Sequence, residues 1–408
     1  MKLKLLLELI VTTLALGLMP PAWSQSDAEA GWVASWTAGP QQQVGDLVPL
    51  EDRTIRAYVP LGVGGEQIMI RFSNEYGSEA LNIGAATVGL LEPDGSIRAG
   101  SLRKVTFGGA ASLLVPVGAP AYSDPVALAV PDAAVLAISL HLPGPVLPET
   151  YNRRSAGAQT ADGRPSGAVV AAGNATDTLQ LVDAEASDFL FLTRVDVLQP
   201  QVSKVIAVLG TSRTNGPGHW PEYLGSRLNS AGPSVSVINA SLQANVLTWP
   251  YPGGGDAALA RFDRDILMVP GITHVVIADA INDIGQPGTA VIPASRLPSV
   301  ETLGAAYQQF VTRARARGVK VIAATVMPFE GVPFEGFYAP NKDVLRRQLN
   351  EWIRNNDIFD GIIDLDAMMR DPQNPSRFRP GLHTDNNFGP NAAGEQMIAE
   401  AINIELFR

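Results

Sequence analysis

The chain has 408 residues, a length that favours two domains, and with 46% apolar and only 17% charged residues it can form packed cores. Lys and Arg number 30 against 40 Asp and Glu, so the net charge is −10, and an acidic chain without a basic stripe argues against nucleic acid as a partner. Because the sequence has no cysteine, disulfides, thiolate zinc sites and a cysteine nucleophile are excluded.

The first 24 residues have the order of a secretory signal peptide. Lys2 and Lys4 precede an apolar run from Leu9 to Met19, and the small-residue exit Ala22-Trp23-Ser24 follows. The apolar run is about half as long as a membrane-spanning helix. We therefore predict cleavage after Ser24 and an extracytoplasmic protein, periplasmic or secreted, with no membrane span after cleavage; an uncleaved anchor is the alternative.

Residues 25–200 have the pattern of an all-β domain. Short apolar segments are separated by turns rich in Gly, Pro, Asn and Asp, at the spacing of a β-sandwich. The predicted strands include Thr54 to Leu61, Gln67 to Ser73, Ala80 to Leu91, Ala111 to Val115 and Val135 to Leu142. Ala161 to Thr178 is rich in small residues without a period, which predicts a loop, and a strand pair is expected near Phe189 to Leu198.

Residues 201–408 have the pattern of an α/β domain, with apolar strands alternating with amphipathic helices. The predicted strands are Val205 to Leu209, Val235 to Asn239, His274 to Ala278, Val319 to Thr325 and Gly361 to Leu365. The predicted helices lie near Trp220 to Asn229, Asp256 to Met268, Val300 to Arg317, Lys342 to Asn355 and Ala392 to Leu406. Such a pattern predicts a parallel, flavodoxin-like sheet covered on both faces, with ligands at the carboxyl ends of its strands.

The first of these strands leads into a candidate nucleophile. Gly210-Thr211-Ser212-Arg213 places Ser212 in a strand-to-helix turn at the carboxyl edge, where its hydroxyl and the following backbone amides can face a crevice. A serine in such a turn is by itself weak support for catalysis, because Gly, Ser and Thr are common in turns that have no catalytic role.

Several motifs are dispersed along the chain from Trp32 onward. They are Trp32-Val33-Ala34-Ser35-Trp36, Ile70 to Gly77, Ser123-Asp124-Pro125, Ala260 to Asp265, Asn282-Asp283-Ile284-Gly285 and Pro390 to Gly394. In this order they resemble the secreted SGNH (GDSL-type) esterase family with an N-terminal β-domain. The resemblance implies a serine ester hydrolase of the SGNH fold preceded by a sandwich-like β-domain.

The resemblance implies three site residues. The first block, usually G-D-S-L or G-D-S-I, keeps the nucleophile as Ser212. In the second block Ala244 stands where the family has a glycine whose amide helps to hold the oxyanion. Alanine retains that N–H, so the change is mild unless the backbone needs positive φ. The third block, usually G-x-N-D, reads Ala280-Ile281-Asn282-Asp283, so Asn282 can donate to the oxyanion; a turn-capping role is its alternative.

The last block departs from the family pattern. The family ends in D-x-x-H-P-N, whereas an ungapped match puts Asn386 at the Asp position and Gly389 at the His position. A serine hydroxyl is a poor nucleophile without an adjacent base. His383, with Asp385 two residues later, and His219 are the candidate replacements, and the alternative for each is a solvated loop residue. Asn391 is expected to cap the last helix.

Two functions follow from these residues. One is an esterase acting on short-chain acyl esters, including carbohydrate-linked ones, with weak or lost activity. The other is a catalytically silent relative that binds a polysaccharide or a protein partner. No cofactor or metal is predicted, because Asp263 with Asp265 and Asp364 with Asp366 lack a calcium-loop spacing. Trp32, Trp36, Trp249 and Tyr251 are candidates for a sugar-binding surface or for core packing.

Overall fold

A computed structural model describes residues 31–153, 159–160, 163–181, 183–201, 204–216, 218–231 and 235–408. The predicted signal peptide, residues 1–24, lies outside the described residues. In the described ranges, no helix is both long and apolar enough to cross a membrane.

The N-terminal half forms antiparallel strands, as the turn pattern predicts. Their sheet orders are β1-β15-β4-β9, β13-β12-β3-β10-β6-β7, β14-β11-β2 and β5-β8. The strands are β1 (Trp32–Thr37), β2 (Gln41–Gln42), β3 (Arg53–Pro60), β4 (Ile68–Ser73), β5 (Leu81–Ile83), β6 (Ala85–Leu90), β7 (Arg103–Val105), β8 (Leu113–Val115), β9 (Pro120–Tyr122), β10 (Val135–Leu142), β11 (Thr150–Asn152), β12 (Gly167–Ala172), β13 (Glu185–Ser187), β14 (Phe189–Leu190) and β15 (Leu192–Leu198).

Two details of this half differ from the sequence prediction. The segment Ala80 to Leu91 is not one strand but two, β5 and β6, on either side of Gly84, where a Cβ would lie 3.0 Å from Pro143. The prediction of a loop over Ala161 to Thr178 is wrong, because β12 runs through it and pairs with β3 and β13. Its small side chains give no alternation in sequence, yet Ala168 and Ala171 are buried.

The C-terminal half contains the predicted parallel sheet, in the order β17-β16-β18-β19-β20. Its strands are β16 (Lys204–Gly210), β17 (Val235–Asn239), β18 (Ile272–Ala278), β19 (Lys320–Ala324) and β20 (Gly361–Ile363). The α-helices are α1 (Trp220–Ala231), α2 (Ala258–Phe262), α3 (Ile281–Gly285), α4 (Val300–Arg315), α5 (Pro340–Arg354), α6 (Leu365–Met369) and α7 (Ala392–Ala401). A π-turn, Asp263–Leu267, continues α2, and 3-10 turns span Ala294–Arg296 and Ile404–Phe407.

The parallel sheet is covered on both faces. Val205, Ala207 and Leu209 of β16 pack with α4 and α5, whereas Ile206 and Val208 pack with α1 and α7. This alternation explains why the strand is apolar throughout. The first of these two clusters continues into the N-terminal half through Val33, Trp36 and Ile70 among others. The two halves therefore share one core, and the boundary at residues 200/201 stays a prediction, although it falls between β15 and β16.

A buried cation connects the loop after β19 to the segment that follows α6. Arg346 on α5 has a fully buried side chain, and it donates to Asp343 at 2.8 Å and to Asp366 at 2.5 Å. It also donates to the carbonyl oxygens of Val326 and Pro375, at 3.1 and 3.0 Å. Removing one partner of a buried ion-pair network leaves the other charges uncompensated.

We expect Arg346→Met to lower the free energy of unfolding by about 3–5 kcal/mol, because it strands the buried carboxylates of Asp343 and Asp366. Arg347→Met is the matched control: Arg347 also pairs with Asp343, but its side chain is 55% exposed, and its loss should cost less than about 1 kcal/mol. Urea denaturation measures both values, and equal small losses would contradict the assigned role of Arg346.

Candidate active site

Ser212 lies in the tight turn that follows β16. The Thr211 carbonyl accepts hydrogen bonds from the backbone N–H groups of Thr214 at 2.9 Å and Asn215 at 2.8 Å. The turn requires glycine at position 210, because a Cβ there would lie 2.3 Å from Thr214 Oγ1. Ser212 is half-buried, and its hydroxyl forms no hydrogen bond with any described residue. The hydroxyl is therefore available to a ligand.

The segments after β17 and β18 meet the Ser212 turn. Thr214 Oγ1 lies 2.8 Å from Ser241 Oγ, and the N–H of Leu242 donates to the Gly210 carbonyl at 3.1 Å. Asn282, at the start of α3, is buried and donates from Nδ2 to the Asn245 carbonyl at 2.8 Å. The structure thus brings the Ser212 turn, the Ala244 turn and Asn282 to one edge of the sheet.

Ala244 and Ala280 have left-handed backbone conformations, with φ of 61° and 92°. In the SGNH-type blocks both positions are glycine, which adopts positive φ without strain. For alanine the conformation costs about 1–2 kcal/mol. The two alanines therefore adopt the left-handed conformation that glycine favours, and they are locally strained.

Two buried carboxyl groups flank Asn282. Asp283 accepts hydrogen bonds from the N–H groups of Leu247 at 2.8 Å and Thr248 at 3.2 Å and from the Thr248 hydroxyl at 2.8 Å, and burial raises its pKa to about 6. Burial, with the Asp283 charge, raises the pKa of Asp279 well above its usual range. Asp279 Oδ1 accepts from the Ala280 N–H at 2.7 Å, while Oδ2 has no partner among the described residues. Burial therefore favours the protonated form of Asp279.

The last block lies beside the Ser212 turn, and it supplies no acid or base at the two matched positions. A Cβ at Gly389 would lie 3.8 Å from Arg213 Cγ, an ordinary contact, and the φ of Gly389 is not in the left-handed region. Asn386 accepts from the Thr384 hydroxyl at 2.7 Å and from the Phe388 N–H at 3.1 Å, the contacts of a turn residue. The backbone at position 389 is thus compatible with a histidine, although the residue is glycine.

The structure does not bring either candidate histidine within hydrogen-bond distance of Ser212. His383 Nδ1 lies 2.8 Å from the Thr384 carbonyl, and Asp385 is exposed. His219 Nδ1 lies 2.8 Å from Glu395 Oε1 on α7. The Glu395 side chain is only 3% exposed, and it also accepts from the Trp220 N–H at 2.8 Å. The predicted cap is confirmed: Asn391 accepts from the Gly394 N–H at the start of α7.

Two residues of this region were not predicted from sequence. Glu395 gives no signal, because a glutamate in the first turn of a helix is ordinary. Arg213 does give one, since it stands where the family blocks have Leu or Ile after the serine. Its buried guanidinium donates to the carbonyl oxygens of Met327 and Pro328 at 3.3 and 3.2 Å. It also lies 5.2 Å from the Phe388 ring centre.

The described residues show no group of three or more His, Cys, Asp or Glu side chains arranged to hold a metal ion. The aspartates noted in the sequence are engaged with arginines instead: Asp263 with Arg313 at 2.9 Å and Asp364 with Arg354 at 2.8 Å. Asp265 likewise pairs with Arg261 at 3.0 Å. Of the aromatic candidates, Trp36 is a core residue whose ring centre lies 5.0 Å from that of Phe189, while Trp249 and Tyr251 are half-buried.

Residues 207–397 match the model of the GDSL-like Lipase/Acylhydrolase family. No curated protein matches the chain. A solved structure of a lipolytic protein assigned to the G-D-S-L family, from Desulfitobacterium hafniense DCB-2, is 21% identical, covers 48% of this chain and 96% of its own, and has a TM-score of 0.36. A GDSL-like lipase from Bacteroides thetaiotaomicron VPI-5482 is 18% identical, with coverages of 50% and 88% and a TM-score of 0.37. A variant acetyl xylan esterase from Geobacillus stearothermophilus is 16% identical, with coverages of 50% and 95% and a TM-score of 0.38.

We expect Ala244→Gly to raise the free energy of unfolding by about 0.5–1 kcal/mol, because the strain removed exceeds the added chain entropy. Ala207→Gly, in the fully buried strand β16, is the control and should lower it by about 1 kcal/mol or more. Urea denaturation gives both numbers. A loss at position 244 as large as that at position 207 would show that the left-handed alanine is not strained.

We expect the free energy of unfolding of Asp279→Asn, compared with that of the unmodified protein at the same pH, to increase as the pH rises from 4 to 7. The folded state holds the Asp279 proton where the unfolded state releases it, so this group's stabilisation is present at acid pH and lost as the pH rises. Asparagine stays neutral throughout. Denaturation at pH 4 and pH 7 measures the difference, with the exposed Asp263→Asn as control; a difference independent of pH would mean that Asp279 is ionised.

Proposed function

Because residues 207–397 form a GDSL-like lipase/acylhydrolase domain, we propose that this protein binds acyl esters in the crevice of Ser212 and Asn282 and hydrolyses them at a small fraction of the rate of a complete serine hydrolase. The observation that supports the proposal is Gly389: it lies beside the Ser212 turn, and the ungapped match of the last block puts it at the position of the family's histidine. Without a base, the Ser212 proton has no acceptor when the hydroxyl attacks a carbonyl carbon.

Binding is supported by the hydrogen-bond donors that the site retains. The Ala244 N–H and the Asn282 side-chain amide lie at the same edge of the sheet as the Ser212 hydroxyl. One N–H of Asn282 Nδ2 is donated to the Asn245 carbonyl, and the second N–H is left for a ligand. Such donors polarise an ester carbonyl and stabilise a developing oxyanion. In the serine triad described for other hydrolases, these contributions alone leave about 10³–10⁴-fold catalysis over water.

A second candidate is an active esterase whose base has moved. The His219–Glu395 pair favours it, because a buried carboxylate 2.8 Å from Nδ1 is the arrangement that orients a catalytic imidazole. In this structure the imidazole is not bonded to Ser212, so this candidate requires the turn before α1 to bring His219 inward. It predicts that activity depends on His219 and on Ser212 alike.

Restoring the base should restore turnover. Asn386→Asp with Gly389→His is expected to raise hydrolysis of p-nitrophenyl acetate by about 10²-fold or more, the usual worth of a positioned base. Each single change should give little, because triad members act as a unit. The Gly389 backbone and the 3.8 Å clearance to Arg213 permit the histidine Cβ. A further Arg213→Leu change removes the neighbouring cation, which would otherwise lower the pKa of the new imidazole.

Ser212→Ala in the restored background should abolish the gain, whereas in the unmodified protein it should change the rate only slightly. Circular dichroism and denaturation confirm that each variant is folded. The proposal fails if the unmodified protein turns over esters efficiently and loses that activity in both Ser212→Ala and His219→Gln. Loss in Ser212→Ala and His383→Ala would contradict it equally, and would assign the base to His383.

A further inference from the structure

A pocket lies between the two halves of the chain, where α1 and β17 meet the N-terminal strands. Its volume is about 300 Å³, at the lower end of the range of small-molecule sites. The described lining includes none of Ser212, Ala244 and Asn282, so the pocket is distinct from the candidate active site. We call this feature the α1 pocket; its walls include Trp36, Leu61, Ser166, Pro221, Gly225 and Val237.

Helix α1 forms one wall of the α1 pocket because its two faces have different neighbours. Side chains spaced four residues apart lie on the same face of a helix. One such set packs in the cluster shared with α7: Trp220, Leu224 and Leu228. The set one position later lines the α1 pocket: Pro221, Gly225 and Asn229. The helix therefore buries one face in its own half and turns the other towards the N-terminal half.

Hydrogen bonds between the two halves fix the walls of the α1 pocket. Ser236 Oγ on β17 donates to the Ala34 carbonyl at 2.6 Å, and Ser35 Oγ donates to the Val63 carbonyl at 2.6 Å. The Ser35 carbonyl accepts from the Gly62 N–H at 3.2 Å. These bonds tie β1 to β17 and to the turn after β3, so the pocket exists before a ligand arrives.

The floor of the α1 pocket is apolar and closed from solvent. Trp36, Leu61 and Ile238 line it and are only 5%, 1% and 1% exposed. Asp132 and Ala133 lie at its rim and are exposed. A ligand that enters from the rim therefore meets an aromatic and aliphatic floor, which favours an apolar body. The volume of the pocket limits that body to one or two rings.

Two polar side chains of the wall have unused hydrogen-bonding capacity. Ser166 is only 3% exposed, and its hydroxyl forms no hydrogen bond with any described residue. Asn229 accepts from the Val235 N–H at 2.7 Å, whereas its Nδ2 donates to no residue of the described ranges. A buried hydroxyl without a partner costs free energy. A ligand that carries a hydroxyl of its own would satisfy Ser166.

The charged side chains of the described lining are already matched by partners. Arg164 Nη2 lies 3.8 Å from Glu222 Oε1, and Glu222 Oε2 accepts from the Gly218 N–H at 2.8 Å. Asp132 accepts from the Gly64 N–H at 2.6 Å and lies in solvent at the rim. A charged ligand would thus lose its hydration without gaining a counter-charge. The α1 pocket therefore favours a neutral ligand.

We propose that the α1 pocket binds a neutral alcohol with one or two rings, whose ring packs on Trp36 and Leu61 and whose hydroxyl bonds with Ser166. The family match covers residues 207–397, whereas these three residues precede it. The pocket is thus made by the combination of the two halves and not by the hydrolase-like domain alone. The inference does not depend on the proposed function.

Isothermal titration of the unmodified protein with 2-indanol, indane, indane-2-carboxylate and 2-aminoindane tests the proposal, because these probes share one ring system. 2-Indanol should bind about fivefold more tightly than indane, which is the worth of one net hydrogen bond. The carboxylate and the ammonium form should bind about tenfold or more weakly than 2-indanol, because each would bury an unpaired charge. No binding of 2-indanol, or equal binding of a charged analogue, would overturn the assignment.

Variants place the ligand in the α1 pocket. Ser166→Ala should reduce the affinity for 2-indanol to that for indane and leave indane binding within about twofold. Gly62→Leu should weaken both ligands about tenfold or more by filling the pocket, since a Cβ there has ordinary contacts, 3.5 Å from the Ser35 carbonyl and 3.8 Å from Ser236 Oγ. Gly144→Leu is the matched control and should change nothing, because a Cβ there has no neighbour within 4 Å.

Thermal denaturation confirms that each variant is folded. Equal losses for 2-indanol and indane in Ser166→Ala would refute the hydroxyl contact, and intact binding in Gly62→Leu would show that the ligand lies elsewhere. Ser212→Ala should leave 2-indanol binding unchanged. A loss in that variant would place the alcohol in the crevice of Ser212 and Asn282, so the proposal would be wrong while the proposed function stands.

Discussion

Burial of β16 on both faces is the constraint that fixes the rest of the site. Val205, Ala207 and Leu209 pack into one cluster and Ile206 and Val208 into the other, so no position within the strand can hold a polar reactive group without a desolvation cost. Chemistry is confined to the turn where the strand ends. Because β17 and β18 run parallel on either side of β16, their ends lie at the same edge and bring Ala244 and Asn282 to Ser212.

Sequence periodicity predicted this arrangement well where burial is two-sided. The parallel strands and the long helices were found within a few residues, because continuous apolar runs and a 3.6-residue period are strong signals. Sequence periodicity failed in the N-terminal half where side chains are small. The strand Gly167–Ala172 pairs with a neighbouring strand on each side, yet its sequence shows no alternation of apolar and polar residues. The sequence alone could not decide whether φ at Ala244 is positive, because φ depends on the path of the neighbouring turns.

Charge was the part of the site that sequence reasoning described least completely. The loss of an acid and a base at Asn386 and Gly389 is visible in the motif, and so is the arginine at position 213 where the family has Leu or Ile. The burial of that arginine against Phe378 and Phe388 is not visible there. Likewise, His219 gains a carboxylate partner 176 positions away. Long-range pairs of this kind depend on the packing of α7 against α1, which no local pattern encodes.

The N-terminal half takes part in the site by holding the turn that carries Tyr251. Gln41 donates from Nε2 to the Gly253 carbonyl at 2.9 Å, and the Tyr76 hydroxyl donates to Asp256 at 2.5 Å. On its other side the same turn accepts from Asn245 Nδ2 through the carbonyl oxygens of Gly254 and Asp256, each at 2.8 Å.

Asn245 in turn supplies the carbonyl that orients the Asn282 amide. One chain of hydrogen bonds therefore runs from Gln41 and Tyr76 of the N-terminal half, through the Tyr251 turn, to the amide of Asn282. The direction of that amide thus depends on contacts from both halves. A C-terminal half separated from residues 31–200 would lack the Gln41 and Tyr76 donors that hold the turn.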